Sequence, residues 1–156
     1  MIHEILATIY FFLPAGVANM TPVLLTKIFG EGAPVSERLF GAHKSWRGLI
    51  AGTAAGTLFF VLQRQPIPLA AGFLMSAGAL CGDLLKSFLK RRRHLPPGAT
   101  WFPFDQIDYI AGAIAATAIV VPLSLRQIAI ALVAFFVLHL IISAAGWLVR
   151  LKAHPI

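Results

Sequence analysis

Five stretches of this chain are almost wholly apolar, and their length constrains the fold more than any other feature. They cover residues 5–26, 48–62, 67–85, 107–121 and 128–149. A helix needs about 20 apolar residues to cross the hydrocarbon core of a bilayer. The second and fourth stretches are shorter, so we expect them to lean on neighbouring helices or on flanks such as Trp46 and Trp101. The pattern predicts an all-α integral membrane protein with five transmembrane helices.

The composition agrees with a membrane protein and excludes several other classes. Hydrophobic residues make up 58% of the 156 positions and charged residues 12%, whereas soluble domains average about 45–50% and about 25%. The single cysteine, Cys81, cannot form a disulfide within one chain, and no Cys/His cluster has zinc-ligand spacing. The first stretch has no Lys or Arg before it and contains two prolines, so it is not typical of a cleaved signal peptide. Residues 1–156 are expected to form one polytopic membrane domain without a nucleic-acid partner.

The basic residues predict how the helices are oriented. Of the 13 Lys and Arg residues, only Arg64 and Arg126 fall on one side of a five-helix arrangement. Cytoplasmic loops carry an excess of Lys and Arg, so we expect the N-terminus outside and the C-terminus in the cytoplasm. The two longest connections, about residues 27–47 and 86–106, would then form a polar site facing the cytoplasm at the cell membrane. The remaining eleven basic residues are Lys27, Arg38, Lys44, Arg47, Lys86, Lys90, Arg91, Arg92, Arg93, Arg150 and Lys152.

Asp83 is the first candidate for chemistry, because it follows an apolar run from Leu69 to Gly82 in the context "CGDLLKSFLKRRR". An ionised carboxylate near hydrocarbon is costly unless it is paired, hydrated or bound to a metal, so it marks a functional site by default. The alternative is an ion pair at the helix end with Lys86, three residues further on.

Asp105 and Asp108 lie in "WFPFDQID", where the fourth apolar stretch begins. Asp105 fits an N-cap after Pro103, with Asp108 in the first helical turn. The same spacing puts both carboxylates on one helical face, as a shared divalent cation requires. Since the basic loop returns this face towards Asp83, the three acids together suit Mg²⁺ and a polyphosphate.

Other polar residues near the predicted membrane boundary allow two interpretations each. In "AHKSWRG" (42–48), Lys44 and Arg47 are one turn apart and suit phosphate oxygens. The run of three arginines at 91–93 is interpreted as an anchor on anionic lipid headgroups. Pro22 predicts a break or kink in the first helix. Asn19 would either satisfy backbone groups freed there or point into a polar cavity.

Gly48, Gly52 and Gly56 recur every four residues along the second apolar stretch. Such a line of small residues lets a neighbouring helix approach closely within a membrane. We therefore interpret these glycines as a packing surface.

The residues alone thus indicate an inner-face, Mg²⁺-dependent site for a phosphorylated, lipid-like substrate.

Four ordered motifs, "ANMTPVL" (18–24), "GAHKSWRGLIAG" (41–52), "CGDLLKSFLKRR" (81–92) and "PPGATWFPFDQIDYIAGA" (96–113), carry a more specific signal. Together they resemble the CDP-archaeol synthase family, which is related to the CDP-diacylglycerol synthases. The resemblance implies a CTP-dependent cytidylyltransferase that transfers CMP to a membrane lipid phosphate, 2,3-di-O-geranylgeranylglyceryl phosphate or a related lipid, and releases pyrophosphate. Archaeal members carry Asp-Gly where this chain has Ala42 and His43, which leaves phosphatidate as an alternative substrate. A non-enzymatic transporter or assembly protein is the alternative of another class.

The resemblance also implies roles for individual residues. Catalytic positions would be Asp83, Lys86, Asp105 and Asp108, and the three aspartates among them would hold Mg²⁺. Positions that bind CTP or the lipid phosphate would be Asn19, Lys44, Trp46, Arg47, Ser87, Lys90, Gly98 and Gln106.

Overall fold

A computed structural model describes residues 1–96 and 99–148 of the chain. Every regular element within these residues is helical, which confirms the expected all-α class. The helices are α1 (Ile2–Phe29), α2 (Glu37–Phe40), α3 (Trp46–Leu62), α4 (Leu69–Arg92), α5 (Phe104–Thr117) and α6 (Leu125–Leu148). Most of each apolar stretch lies on one helix, in the order α1, α3, α4, α5 and α6.

Three of these helices are long and apolar enough to cross a membrane: α1, α4 and α6 over residues 125–145. Helix α3 is apolar but has 17 residues, and α5 has 14, which is about 21 Å of helix against a core of about 30 Å. Large apolar side chains are exposed on the helices, with Ile50 at 68% and Val133 at 65%. Such a surface is favourable in lipid, so the chain is a multi-pass membrane protein. That all five helices cross stays a prediction.

Each of the five long helices differs from its predicted bounds by at least two residues at one end, and two of these differences affect the site. Helix α4 continues to Arg92, past the predicted end at 85, because leucines, lysines and arginines with high helix propensity follow the apolar run. Helix α5 begins at Phe104 with Pro103 as its N-cap, earlier than the predicted 107. Both differences lengthen the helices towards the charged loop, and the earlier start of α5 places Asp105 on the same helix as Asp108.

Helix α1 is not broken at Pro22, so of the predicted break or kink the break does not occur. It runs without interruption through Pro14 and Pro22. A proline leaves the carbonyl four residues earlier without its helical donor. For Pro14 that carbonyl belongs to Tyr10, and the side-chain amide of Gln63 donates to it. Gln63 thus supplies the donor that is missing at Pro14.

The glycines of α3 pack directly against α1, as predicted. A Cβ atom added at Gly52 would lie 2.7 Å from the carbonyl oxygen of Ala18, and one at Gly56 would lie 2.7 Å from that of Pro14. No real side chain fits at those distances. The carbonyl oxygen of Ala18 is also the one that Pro22 leaves without a helical donor, and α3 packs directly against it.

A second glycine contact, which we did not predict, joins α4 to α5. A Cβ atom at Gly78 would lie 2.6 Å from the carbonyl oxygen of Gly112, and one at Gly112 would lie 2.9 Å from the Cα of Gly82. A Cβ atom at Gly82 would overlap the carbonyl group of Asp108. The two backbones therefore touch beside Asp108, and this contact brings Asp83 next to Asp108.

Consecutive long helices run in alternating directions. The ends that meet around a polar cavity are the C-terminal parts of α1, α4 and α6 and the N-terminal parts of α3 and α5. At the opposite end of the bundle, Glu4 of α1 pairs with Arg126 of α6 at 3.2 Å. Between the two ends lies a buried apolar core that includes Phe12, Met75 and Phe135. Five crossings of a membrane would require this alternation.

Candidate active site

A polar cavity of about 980 Å³ lies where the five long helices converge. Eight of the predicted site residues line it: Asn19, Lys44, Asp83, Lys86, Lys90, Asp105, Gln106 and Asp108. The structure thus brings together residues from α1, the loop before α3, α4 and α5. These residues lie up to 89 positions apart in the sequence, from Asn19 to Asp108.

The three predicted aspartates converge on one ammonium group, that of Lys86. Lys86 Nζ lies 3.2 Å from Asp83 Oδ1, 3.4 Å from Asp105 Oδ1 and 2.7 Å from Asp108 Oδ2. All four side chains are mostly buried, and Asp108 is only 6% exposed. Asp105 and Asp108 face the same partner, which confirms that their spacing places them on one helical face. The ion pair of Asp83 with Lys86, predicted as an alternative, exists within this larger cluster.

Lys44 joins the cluster from the loop that precedes α3 and pairs with Asp83. The backbone on both sides of this lysine is held in place: Val35 N donates to Lys44 O at 2.7 Å, and Trp46 N donates to Ala33 O at 3.1 Å. Ser45 caps α3, because its hydroxyl accepts a hydrogen bond from Gly48 N at 3.2 Å. The helix cap and these backbone hydrogen bonds therefore fix the position of the Lys44 backbone, from which its side chain extends to Asp83.

Asp105 is not the N-cap of α5, in contrast to one interpretation of its position. Pro103 occupies that place, and the Asp105 carboxylate instead accepts a hydrogen bond from the backbone N–H of Trp101. Lys90 Nζ donates to both carboxylate oxygens of Asp105, at 2.9 and 3.1 Å. Asp105, on α5, therefore links the loop at Trp101 to Lys90 of α4.

The charges of this cluster balance. Its carboxylates are Asp83, Asp105 and Asp108, and its ammonium groups are those of Lys44, Lys86 and Lys90. Each ammonium is held by a carboxylate, which orients it within a largely buried site. A polyanionic substrate that enters such a balanced site needs additional positive charge. Lys27 and His43 also line the cavity.

Gln106 adds an uncharged polar group to the cavity. It is 2% exposed, and its Oε1 atom accepts no hydrogen bond from the residues that the structure describes. A buried acceptor without a donor is unfavourable, so this oxygen is available to a donor group on a ligand.

Three predicted residues lie outside the cavity lining. Trp46 points to a separate apolar groove. Arg47 donates to the carbonyl oxygen of Gly30, where α1 ends with a glycine at φ 73°. Ser87 is buried and donates to the carbonyl oxygen of Asp83 at 2.9 Å. Gly98 lies outside the described residues.

The cavity also has lining residues that the sequence analysis did not select as site residues. His139 and Ser143 of α6 are the clearest case. They stand four positions apart and therefore share one helical face in an otherwise apolar helix. That spacing was visible in the sequence, but only the packing of α6 against α1 and α5 turns this face towards the acidic cluster.

The aspartates offer suitable chemistry for a divalent cation, although the arrangement is not that of a finished metal site. Carboxylate oxygens are the ligands that Mg²⁺ takes in proteins, and the buried Asp108 Oδ2 contacts Lys86 without accepting a well-aligned hydrogen bond within the described residues. Among residues 1–96 and 99–148, no group of three or more His, Cys, Asp or Glu side chains is positioned to hold a metal ion. The ammonium of Lys86 lies at the point where the carboxylates meet.

The fold and the site together define an intramembrane enzyme with a charged cavity at the ends of its helices. Comparison with known proteins supports this class. A solved structure of an intramembrane enzyme for archaeal membrane lipids biosynthesis superimposes with a TM-score of 0.76 at 33% identity, covering 88% of this chain and 92% of that one. The family description CarS-like, CDP-archaeol synthase, matches residues 1–155. The chain belongs to that family.

Individual relatives agree. The CDP-archaeol synthase of Pyrococcus furiosus is 38% identical over 72% of this chain and 74% of its own length. That of Pyrobaculum islandicum is 32% identical over 94% of this chain and 98% of its own length. The resemblance stated from the motifs is therefore confirmed, and the chain is an enzyme of a cytidylyltransferase family.

Proposed function

We propose that the protein transfers CMP from CTP to a membrane lipid phosphate, giving a CDP-activated lipid and pyrophosphate. The observation that carries this proposal is the convergence of Asp83, Asp105 and Asp108 around Lys86 in a cavity at the ends of membrane helices. A lipid headgroup can reach this position from the bilayer, and a soluble nucleotide can reach it from water.

The reaction is one displacement at phosphorus. An oxygen of the lipid phosphate forms a bond to the α-phosphorus of CTP, and the bond from that phosphorus to the oxygen bridging to the β-phosphate breaks. Pyrophosphate leaves with the electron pair. Because the second pKa of a phosphate monoester is about 6, the nucleophile is mostly dianionic at neutral pH. It needs no strong general base, so the aspartates are better suited to holding cations than to removing a proton.

The cations of the cluster bring two polyanions together. Lys44, Lys86 and Lys90 would bind oxygens of the triphosphate or of the lipid phosphate, and their aspartate partners hold them ready in the cavity. Fixed positive groups that need no reorganisation stabilise the charge that develops during phosphoryl transfer. Asn19 and Gln106 would contribute uncharged contacts to the same substrates.

Asp83, Asp105 and Asp108 would hold Mg²⁺. The ion would supply neutralisation of the nucleotide phosphates and of the leaving pyrophosphate. The carboxylate donors and the buried Oδ2 atom of Asp108 suit such an ion. Lys86 contacts the same three carboxylates, so its ammonium and the divalent cation compete for them. When the ion is bound, the Lys86 ammonium would lose part of its contact with the carboxylates and would be available to bind a phosphate oxygen.

For the lipid we propose 2,3-di-O-geranylgeranylglyceryl phosphate or a close relative. The names of the matching synthases from archaea support an ether-linked isoprenoid substrate. Ala42 and His43 stand where the archaeal motif has Asp-Gly, and His43 Nδ1 lies 2.6 Å from Glu31 Oε1 at the rim of the cavity. This departure keeps phosphatidate as the second candidate.

We further propose five membrane crossings with the cavity facing the cytoplasm, supported by the alternating helices and by the distribution of Lys and Arg. The test uses a Cys81→Ala background with one new cysteine, at Arg126 or at Glu37. A membrane-impermeant maleimide should label the Arg126→Cys protein in intact cells and the Glu37→Cys protein only after lysis. The reverse pattern would overturn the orientation.

The activity is tested with purified protein, CTP labelled at the α-phosphate and a panel of ether-linked and ester-linked lipid phosphates. We expect Mg²⁺-dependent transfer of the label into the organic phase, with release of pyrophosphate. Transfer to ester lipids alone would replace the archaeal substrate by phosphatidate. If folded protein transfers label to no member of the panel and to no phosphate in a native lipid extract, the proposed function is wrong.

A further inference from the structure

Two arginines at the end of α4, Arg92 and Arg93, lie against aromatic side chains. The guanidinium of Arg93 lies over the ring of Trp101, 4.8 Å from its centroid, and that of Arg92 lies 5.5 Å from the centroid of Phe88. Both arginines are exposed. Within the described residues, neither of them forms an ion pair with a carboxylate. The described part of the protein therefore leaves their charge without a neutralising partner.

Arg92 continues a face of α4 that carries exposed apolar side chains. Leu85 and Leu89 precede it by seven and three positions, which is one helical face, and they are 59% and 39% exposed. Helix α4 is long and apolar enough to cross a membrane. An arginine at the end of such a face covers apolar surface with its stem and extends its guanidinium to the lipid headgroups. We therefore place the two arginines at the boundary between lipid and water.

The loop between α4 and α5 adds exposed aromatic rings beside these arginines. Phe104 packs on Trp101, with ring centroids 4.6 Å apart. Phe102, which is 58% exposed, meets the ring of Phe136 of α6 edge-on at 5.9 Å. Because Phe136 belongs to a helix that is apolar enough to cross a membrane, the loop reaches the edge of the hydrocarbon. Exposed guanidinium groups next to exposed rings suit an amphiphile with an anionic headgroup.

Trp101 connects this surface to the charged cluster of the candidate active site. Its backbone N–H donates to the Asp105 carboxylate, and its carbonyl oxygen accepts a hydrogen bond from Asp105 N at 3.0 Å. Lys90, which holds the same carboxylate, lies one helical turn before Arg93. Contacts thus run from Lys90 through Asp105 and Trp101 to Arg93 and back along α4. A ligand that fixes Arg93 and Trp101 restrains the segment that holds Asp105.

We propose that Arg92, Arg93 and Trp101 bind the headgroup of an anionic membrane phospholipid other than the substrate. The bound lipid holds Trp101 against Asp105 and so supports CMP transfer. A planar guanidinium can bind phosphate oxygens and stack on an aromatic ring at the same time. These three residues are not among those that line the polar cavity, so a lipid bound to them leaves that cavity to the two substrates. The sequence predicted only an anchor in this basic run, and the contact with Trp101 connects it to the reaction.

The first experiment measures binding without turnover. In a protein with Trp46→Phe and Trp147→Phe, Trp101 is the one remaining tryptophan. Phosphatidylglycerol or phosphatidylcholine, each with a nitroxide on one acyl chain near the headgroup, is added to the protein in detergent micelles. We expect half-maximal quenching at about fivefold less phosphatidylglycerol, and Arg93→Gln should remove most of this preference, since one basic residue at an anionic surface contributes about that factor. Arg38→Gln removes an equal charge from an exposed position of α2 and should keep the preference.

The second experiment uses the wild-type protein and therefore does not depend on the folding of a variant. Hydrogen–deuterium exchange of the Trp101 backbone amide, which donates to Asp105, is followed in phosphatidylcholine vesicles. Phosphatidylglycerol or, separately, inorganic phosphate is then added. We expect phosphatidylglycerol to slow this exchange severalfold, because exchange requires the hydrogen bond to open, and inorganic phosphate to leave it unchanged.

A measurement of activity completes the test. Initial rates of CMP transfer are recorded with a small, fixed fraction of lipid phosphate. They should rise with the phosphatidylglycerol content in the wild type and in Arg38→Gln, but not in Arg93→Gln. Phosphatidylglycerol is a phosphodiester and lacks the phosphomonoester that accepts CMP, so it acts here only as a bound lipid.

Each outcome supports or overturns the inference. Equal quenching by the two lipids, or a preference that Arg38→Gln removes as fully as Arg93→Gln, would mean that no specific site exists. Equal slowing of exchange by inorganic phosphate would replace the lipid by a soluble anion. If phosphatidylglycerol binds but changes neither exchange nor transfer, the connection to Asp105 is wrong. If the wild type transfers CMP to no lipid phosphate, the proposed function fails, whereas quenching and exchange still decide whether this lipid site exists.

Discussion

Two helix pairs in this protein use the same packing device for different purposes. At the contact of α1 with α3, Gly52 and Gly56 bring α3 against the backbone carbonyl oxygens of Ala18 and Pro14. At the contact of α4 with α5, Gly82 and Gly112 do the same beside Asp108. The first contact only packs the bundle, whereas the second also sets the separation of the acids that surround Lys86. Close backbone approach in a membrane can thus position reactive groups as well as hold helices together.

The largest expected effect comes from removing an acid at the α4–α5 contact. Asp83→Asn should lower CMP transfer at least about 100-fold, because the charged cluster loses one of the groups that hold its cations. The variant should still fold and insert, since a neutral amide is less costly near lipid than a carboxylate. Initial rates with labelled CTP measure the effect. Glu37→Gln, at an exposed acid of α2, is the control, and equal loss in both variants would contradict the assignment.

The Lys86 ammonium lies between Asp83, Asp105 and Asp108. Its removal therefore tests whether these carboxylates can hold a divalent cation. Lys86→Met should bind Mg²⁺ at least about tenfold more tightly than the wild type, because a like charge has been removed within a few ångströms of the ion. Calorimetric titration without nucleotide measures this affinity independently of turnover. The double variant with Asp83→Asn should lose the gain. Unchanged or weaker Mg²⁺ binding in Lys86→Met would argue against a cation at the three carboxylates.

One pair of identical substitutions compares the two glycine contacts directly. Gly82→Ala and Gly56→Ala each add a methyl group against backbone atoms, and each should lower the free energy of unfolding by about 1–3 kcal/mol through overpacking. Only Gly82→Ala should also lower kcat, by about tenfold, because it separates Asp83 from Asp108. Unfolding in detergent and transfer assays measure the two quantities. Equal kcat losses would mean that both contacts support the site.

The smallest effect is expected at the end of the bundle away from the cavity. Arg126 and Glu4 form an ion pair at 3.2 Å with side chains 62% and 35% exposed. Such pairs contribute under about 1 kcal/mol, because water screens exposed charges. Arg126→Gln should change the free energy of unfolding by less than that and leave CMP transfer unaltered. A marked loss of transfer would show that the two ends of the bundle are coupled.

The two contacts differed in how readily the sequence revealed them. Gly48, Gly52 and Gly56 stand on one helix at a regular spacing, so their role was predicted. The other contact combines Gly78 and Gly82, which stand four positions apart on α4, with Gly112 of α5, and nothing in the sequence pairs Gly112 with them. Likewise, the i, i+3 spacing of Asp105 and Asp108 predicted a shared face, but nothing in the spacing identified Lys86 as their common partner.

The apolar stretches by themselves determined that the chain is an all-helical membrane protein, because hydrocarbon leaves a backbone few ways to satisfy its polar groups. The spacing of the acids and the motifs around them likewise indicated the family and most of the charged residues that line the cavity. Only the tertiary structure decided that Lys86 lies between three carboxylates, that Trp46 faces a groove rather than the cavity, and that His139 turns inward. These features depend on how helices rotate and approach one another, and that is settled by packing between residues distant in the sequence.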